Sequence, residues 1–145
     1  MADRPDTLAA PYVLQDQVGY LLRLASQRHA LIFQKHAIDN LTPTQFSTIL
    51  RVAEVGEVSQ NHLGRLTAMD VATIKGVVDR LKSKGLAKST SDPKDKRRSI
   101  ISLTAKGEAM VEDLKVMGHV ITEETLAPLS DAERRTFVDL LRKLG

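Results

Sequence analysis

From Asp70 to Gly107 the chain permits few folds. Asp70 can cap a helix running from Val71 to Lys84, and Gly85 closes it. Two short strands follow at once, Leu86 to Ser91 and Ser99 to Leu103. Asp92-Pro93 opens the loop between them, and Lys94-Asp95-Lys96-Arg97-Arg98 forms its tip. A hairpin fixed directly to the end of a helix is a wing. From Val71 to Arg98 nine Lys or Arg face three Asp, a local charge of +6; the whole chain is +3, so the rest is net −3. Clustered, exposed cations are how a protein holds phosphates. A solvated charged face without a partner is the alternative, and the surrounding elements decide between them.

Those elements are legible from caps and periodicity. Val13 to Ala37 reads as a long helix, with Leu14, Val18, Leu21, Ala25 and Ile32 at helical spacing. Asp39-Asn40 breaks it. Thr42 and Gln45 form a capping box with Pro43 at the first helical position, and Phe46, Ile49, Leu50 and Ala53 form the expected buried stripe up to Gly56. Ser59 caps a short third helix through Leu66. Its connection to the Val71 helix is about four residues long, the spacing of a helix-turn-helix. Thr104 caps a fifth helix to about Leu126, with Met110, Leu114, Met117 and Ile121 along one face and Val116 and Val120 along another. Pro128 stops it. Ser130 and Glu133 cap a sixth, in which Phe137, Leu140, Leu141 and Leu144 are expected to be buried. The first ten or so residues, with Asp3, Pro5, Asp6 and Pro11, have no periodicity and are the one segment expected to lack order.

The Val71–Lys84 helix has two unlike faces. Projection puts Val71, Ile74, Val77, Val78 and Leu81 on one side and Ala72, Lys75, Gly76, Asp79 and Ser83 on the other, flanked by Thr73 and Arg80. A helix entering the major groove needs an apolar back and a thin front. Gly76 costs about 1 kcal/mol relative to Ala in a helix interior, and close approach to a duplex supplies a reason for it. Packing against another helix is the competing reason, but Gly76 lies opposite the apolar stripe. Lys75 and Thr73 are the expected base-edge contacts, and Asp79, four residues on, is expected to pair with Lys75 without DNA. Ser59, Gln60 and Asn61, at the start of the third helix, offer N–H groups and polar side chains to a phosphate. In the wing, Lys94, Lys96, Arg97 and Arg98 are the expected phosphate and minor-groove contacts, with Asp95 steadying Arg97.

Composition narrows the function classes. The chain has no cysteine, which excludes disulfides, thiolate nucleophiles and a cysteine-based oxidant sensor. Two Tyr and three Phe argue against single-strand binding, which needs rings for stacking. No apolar run approaches the roughly 20 residues that span a bilayer, and there is no signal-peptide pattern, so the protein is expected to be soluble and cytoplasmic. No nucleophile–base pattern, glycine-rich phosphate loop or paired-carboxylate signature points to catalysis. His29 and His36 are two turns apart, too far to share a metal, and no cofactor or metal is expected; a zinc site built from residues distant in sequence is not excluded.

Four segments resemble the MarR family of winged helix-turn-helix regulators: Leu41-Thr42-Pro43-Thr44-Gln45-Phe46, Val77-Val78-Asp79-Arg80-Leu81-Lys82-Ser83-Lys84-Gly85-Leu86, Asp92-Pro93-Lys94-Asp95-Lys96-Arg97, and Leu103-Thr104-Ala105-Lys106-Gly107. The resemblance implies a mainly α fold of six helices with a small β-hairpin wing. Residues 41–104 form the DNA-binding domain, and 1–40 with 105–145 form a helical dimerisation region. It implies an obligate homodimer, for which the wide apolar faces of the first, fifth and sixth helices argue independently. Such a dimer reads a pseudo-palindromic operator in double-stranded DNA with two helices about 34 Å apart. The family pattern also assigns Arg97 to the minor groove and implies a repressor released by a small molecule bound between the first, second and fifth helices.

Candidate effector contacts are Tyr20, Arg23, Arg28, His29 and His36 on the first helix and Phe46 and Arg51 on the second. An Arg or His beside apolar walls suits a carboxylate, a phenolate or an acyl thioester bearing phosphates. The run Thr73-Ile74-Lys75-Gly76-Val77-Val78-Asp79-Arg80 is similar to the branch controlling degradation of aromatic acids and their coenzyme A thioesters. Two other readings stay open: a winged-helix scaffold that binds a protein and not DNA, and an oxidant sensor working through Met110 and Met117.

Overall fold

The computed structural model describes residues 10–145. The N-terminal segment expected to lack order falls, up to residue 9, outside the described residues. Six helices and three short strands follow in the order α1 (Val18–His36), α2 (Pro43–Val55), β1 (Val58–Ser59), α3 (Gln60–Leu66), α4 (Val71–Ser83), β2 (Ala87–Ser91), β3 (Ser99–Leu103), α5 (Ala105–Thr125) and α6 (Asp131–Leu144).

The caps read from the sequence start these helices. Thr42 Oγ1 accepts from the Gln45 N–H at 3.3 Å, and Gln45 Oε1 accepts from the Thr42 N–H at 3.2 Å. Ser59, Asp70 and Thr104 each accept from an N–H three residues on. Ser130 and Glu133 close a second reciprocal box. These bonds satisfy donors that the first helical turn leaves free. The first helix departs from its expected extent: Leu14–Asp16 form a separate 3-10 turn, and Gln17, extended at φ −83° and ψ 140°, interrupts the spiral.

One strand was not expected. β1 joins the hairpin to give an antiparallel sheet in the order β1-β3-β2, with Val58 opposite Ile101 and Ala87 opposite Leu103. Around the sheet, Ile49, Leu63, Ile74, Leu81, Leu86 and Ile101 are fully buried. Apolar burial of this kind is the main force holding the lobe together, about 25 cal/mol per Å² removed from water. Gly107 is required where α5 meets this lobe, because a Cβ there would collide with the Leu86 carbonyl.

Several apolar positions lie elsewhere than expected. In α2 the buried stripe is Gln45, Thr48, Ile49 and Val52, while Phe46, Leu50 and Ala53 are half-buried at its edge. Val71 is 67% exposed because it stands in the first turn of α4, beyond the reach of the core. In α1 only Ile32 and Phe33 are buried; Val18, Leu21, Leu22, Leu24 and Leu31 are exposed, as is Leu14 in the preceding 3-10 turn. No residue of α6 is buried, and Phe137, Leu140, Leu141 and Leu144 face solvent. The physical reason is common to both helices: among the described residues no element packs over these faces. The C-terminal part of α1 is held by α5. Arg28 donates to the Thr125 and Glu124 carbonyls at 2.6 and 2.9 Å, and Lys35 and His36 both meet the Glu124 carboxylate.

Candidate nucleic-acid interface and effector cavity

α4 buries Ile74, Val77, Val78 and Leu81 and turns Ala72, Thr73, Lys75 and Arg80 outward. Lys75 Nζ meets Asp79 Oδ2 at 3.0 Å, the pairing expected in the absence of DNA. That hydrogen bond, before any other cause, lowers the Asp79 carboxyl below its ordinary range. A Cβ on Gly76 would meet only Arg80 Nη1, at an ordinary 3.6 Å. Among the described residues no helix packs against Gly76, so the close-packing explanation for this glycine finds no support. The front of α4 is open, thin and cationic.

The wing tip is ordered by its two aspartates. Asp92 Oδ1 accepts from the Lys94 N–H at 2.9 Å, and Asp95 Oδ1 accepts from the Arg97 N–H at 3.0 Å. The Arg97 guanidinium returns to Asp95 through Nε at 3.1 Å and Nη2 at 3.3 Å. The Arg97 side chain lowers the Asp95 carboxyl from its ordinary value, and the Arg97 N–H adds to it. Lys94, Lys96, Arg97 and Arg98 are all exposed. The fold then brings two expected groups together. Ser59, Gln60 and Asn61 share a cleft of about 100 Å³ with Arg97, Arg98 and Ser99. β1 is the cause, since its pairing with β3 sets Ser59 opposite Ile100. Asn61 and Ser99 are exposed beside the two arginines, Gln60 is half-buried, and Ser59 is buried with its hydroxyl taken up by the His62 N–H, so the exposed members form a setting for a phosphate oxygen.

A larger cavity, about 470 Å³, opens between α1, α2 and α5. Phe33 and Phe46 meet edge to face in its wall, ring centres 5.6 Å apart at 78°. Gly118 lets the Phe46 ring rest on α5; a Cβ there would stand 3.1 Å from Phe46 Cζ. Two of the expected effector contacts, His29 and Phe46, line this cavity. His29 Nδ1 also bonds Thr125 Oγ1 at 2.9 Å. Tyr20 and Arg23 stand outside it, stacked on each other with the guanidinium 5.4 Å from the ring centre, and Arg51 pairs with Glu54 at 2.9 Å. Arg28 and His36 serve the α1–α5 junction. Sequence reasoning passed over Ser47, Lys115, His119 and Thr122, which supply most of the cavity's polar lining. The signal was present: Lys115, Gly118, His119 and Thr122 recur at helical spacing beside the apolar stripe of α5.

Among the described residues no helix is long and apolar enough to cross a membrane, and no group of three or more His, Asp or Glu is placed to hold a metal ion.

The MarR family model matches residues 39–98. The HTH-type transcriptional repressor NicR of Pseudomonas putida is 42% identical over 135 residues, covering 92% of this chain and 85% of that protein. Bordetella bronchiseptica BpsR, whose DNA binding is regulated by 6-hydroxynicotinic acid, superposes with a TM-score of 0.87 at 40% identity, covering 93% of this chain and 97% of that one. The PcaV transcriptional regulator of Streptomyces coelicolor, solved with its natural ligand, superposes with a TM-score of 0.86 at 30% identity, covering 93% and 96%. A helix-turn-helix, its wing and a likeness that runs almost end to end lead to one conclusion: the chain belongs to the MarR family and is a transcriptional regulator, not an enzyme.

Proposed function

We propose that this protein is a cytoplasmic, homodimeric repressor that grips a pseudo-palindromic operator and is released by a small aromatic carboxylate in the α1–α2–α5 cavity. The observation that carries the DNA-binding half is the front of α4. Among the described residues only the Arg80 side chain comes near a Cβ placed on Gly76, and Thr73, Arg80 and the Lys75–Asp79 pair lie exposed around it. In this reading α4 lies in the major groove with Ala72 and Gly76 closest to the bases. Lys75 and Thr73 contact base edges, and Arg80 contacts the backbone. Ser59, Gln60, Asn61, Lys94, Lys96 and Arg98 engage phosphates, and Arg97 enters the minor groove.

Support for the dimer comes from α1 and α6. Both expose leucine-rich faces that a single chain leaves in water, and contiguous apolar surface of this kind marks an interface. A two-fold pairing of these faces sets two α4 helices on successive turns of one side of the duplex.

Support for the effector comes from the cavity. A flat ring fits beside Phe33 and Phe46, and Lys115, His119 and His29 offer donors for an acid and a second polar substituent. The size favours a free aromatic acid over a coenzyme A thioester, and 6-hydroxynicotinic acid, the regulator of BpsR DNA binding, is the natural first probe. The test is a fluorescence-anisotropy titration with duplex DNA from upstream of the protein's own gene, at two salt concentrations, with and without that acid. The expected result is tight, salt-sensitive binding that the acid weakens. Binding indifferent to sequence would sink the operator reading, and binding indifferent to aromatic acids would sink the effector reading.

A further inference from the structure

The reading helix is tied at its far end to the linker between α1 and α2. Lys84 caps α4, its own N–H bonded to the Arg80 carbonyl at 3.0 Å. Its side chain leaves the helix and donates from Nζ to the Asp39 carbonyl, 2.6 Å away. Asp39 lies in the linker between α1 and α2, where two consecutive non-glycine residues hold positive φ, Asp39 at 56° and Asn40 at 53°. Asp and Asn adopt this left-handed region more readily than other non-glycine residues, so the pair forms a tight, defined turn. Among the hydrogen bonds of the described residues, Lys84 Nζ to Asp39 is the one that joins this linker to α4. The Lys84 carbonyl in turn accepts from Lys106 Nζ, 3.2 Å away in the first turn of α5.

The linker also borders the effector cavity. It runs directly into Pro43, and Pro43 and Phe33 line both that cavity and a second hollow of about 310 Å³ whose wall includes Asn40, Leu41 and Thr42. α2 also packs directly against α4, and Lys84 adds a hydrogen-bonded connection from the linker to the end of that helix.

We infer that Lys84 is a positioning residue whose bond to the Asp39 carbonyl couples the cavity between α1, α2 and α5 to the orientation of the reading helix. The inference rests on α4 being the DNA reader and adds the route by which occupancy of the cavity reaches it. Coupling is reciprocal. DNA held by α4 therefore steadies the linker even when no effector is present.

The experiment follows hydrogen exchange of the 38–42 amides in the full-length protein, free and bound to the upstream duplex, for wild type, Lys84→Met and Lys84→Arg. Anisotropy run in parallel reports DNA affinity. DNA slows exchange in the wild-type linker. Lys84→Met binds DNA within about threefold of wild type yet loses this protection, and Lys84→Arg, which keeps a donor, recovers it. With 6-hydroxynicotinic acid added, the Lys84→Met complex resists release at least fivefold better than wild type. Equal DNA-induced protection in Lys84→Met and wild type, or none in wild type that binds DNA, would overturn the coupling. Absence of DNA binding by wild type, read directly from anisotropy, would overturn the reading beneath it and the coupling with it.

Discussion

Asp95 holds Arg97 through both carboxylate oxygens while leaving the arginine side chain 91% exposed. An exposed ion pair of this sort adds little to stability, a median of about 0–1 kcal/mol. Its effect is on geometry: the guanidinium is presented in one direction before DNA arrives. Arg97→Ala is expected to weaken binding to the upstream duplex by about tenfold or more and to lower the salt slope by about 1 for each subunit. Asp95→Asn keeps the cation, so affinity falls by only about two- to fivefold as the side chain loses its orientation, with the salt slope unchanged. Anisotropy titrations over a range of salt separate the two.

Gly76 is expected to give opposite signs in two assays. Its Cβ position is empty, so Gly76→Ala gains helix propensity and stabilises the fold by up to about 1 kcal/mol. In the proposed complex the same methyl group would stand between α4 and the floor of the groove, so DNA affinity is expected to fall. Urea unfolding monitored by circular dichroism gives the first sign and anisotropy the second. A variant both more stable and equally tight on DNA would remove Gly76 from the interface.

Gly118 tests the cavity in the same way. A Cβ at this position presses on Phe46 from 3.1 Å, and the ring can yield only toward the cavity or its rim. Gly118→Ala is expected to weaken 6-hydroxynicotinic acid binding by about tenfold, the low end of an overpacking cost of roughly 1–3 kcal/mol, with DNA affinity intact. Adding Phe46→Leu returns the space and part of the affinity. Calorimetric titration of the single and double variants is the measurement.

Acid should loosen the α1–α5 junction. Lys35 first and His36 second lower the Glu124 carboxyl from its ordinary value of 4.5. A carboxyl lowered in the folded state contributes stability that is complete above its unfolded value and is lost as pH falls through the folded one. Wild type is therefore expected to lose stability progressively below pH 4.5. Glu124→Gln is less stable at neutral pH and shows a shallower decline over that acid range. Urea midpoints measured from pH 6 downward give both slopes.

What could be read without coordinates was mostly local. A cap is a bond across three residues, so Thr42–Gln45, Asp70–Thr73 and Ser130–Glu133 announce their helices in the sequence itself. The Asp95–Arg97 and Lys75–Asp79 pairs are local in the same sense. β1 escaped because two residues carry no alternation, and its partner Ile101 lies far along the chain. The cavity lining escaped for a different reason. Helix phase tells which residues share a face but not which neighbour that face meets, so the Lys115–His119–Thr122 stripe had no visible destination. The apolar pattern of α6 points to a core, and among the described residues no element packs there to provide one.

The pairing of β1 with β3 has a mechanical consequence. Ser59 is at once the partner of Ile100 in the wing and the cap of α3, and α3 leads by a tight turn into α4. Wing and α4 are thus linked through one residue, and this linkage favours their moving together. In the proposed dimer, release is then expected to come from changing the distance between two such units rather than from opening one of them. A duplex carrying a single half-site, held by one unit alone, should keep its affinity when the effector is added, and only the paired site should let go.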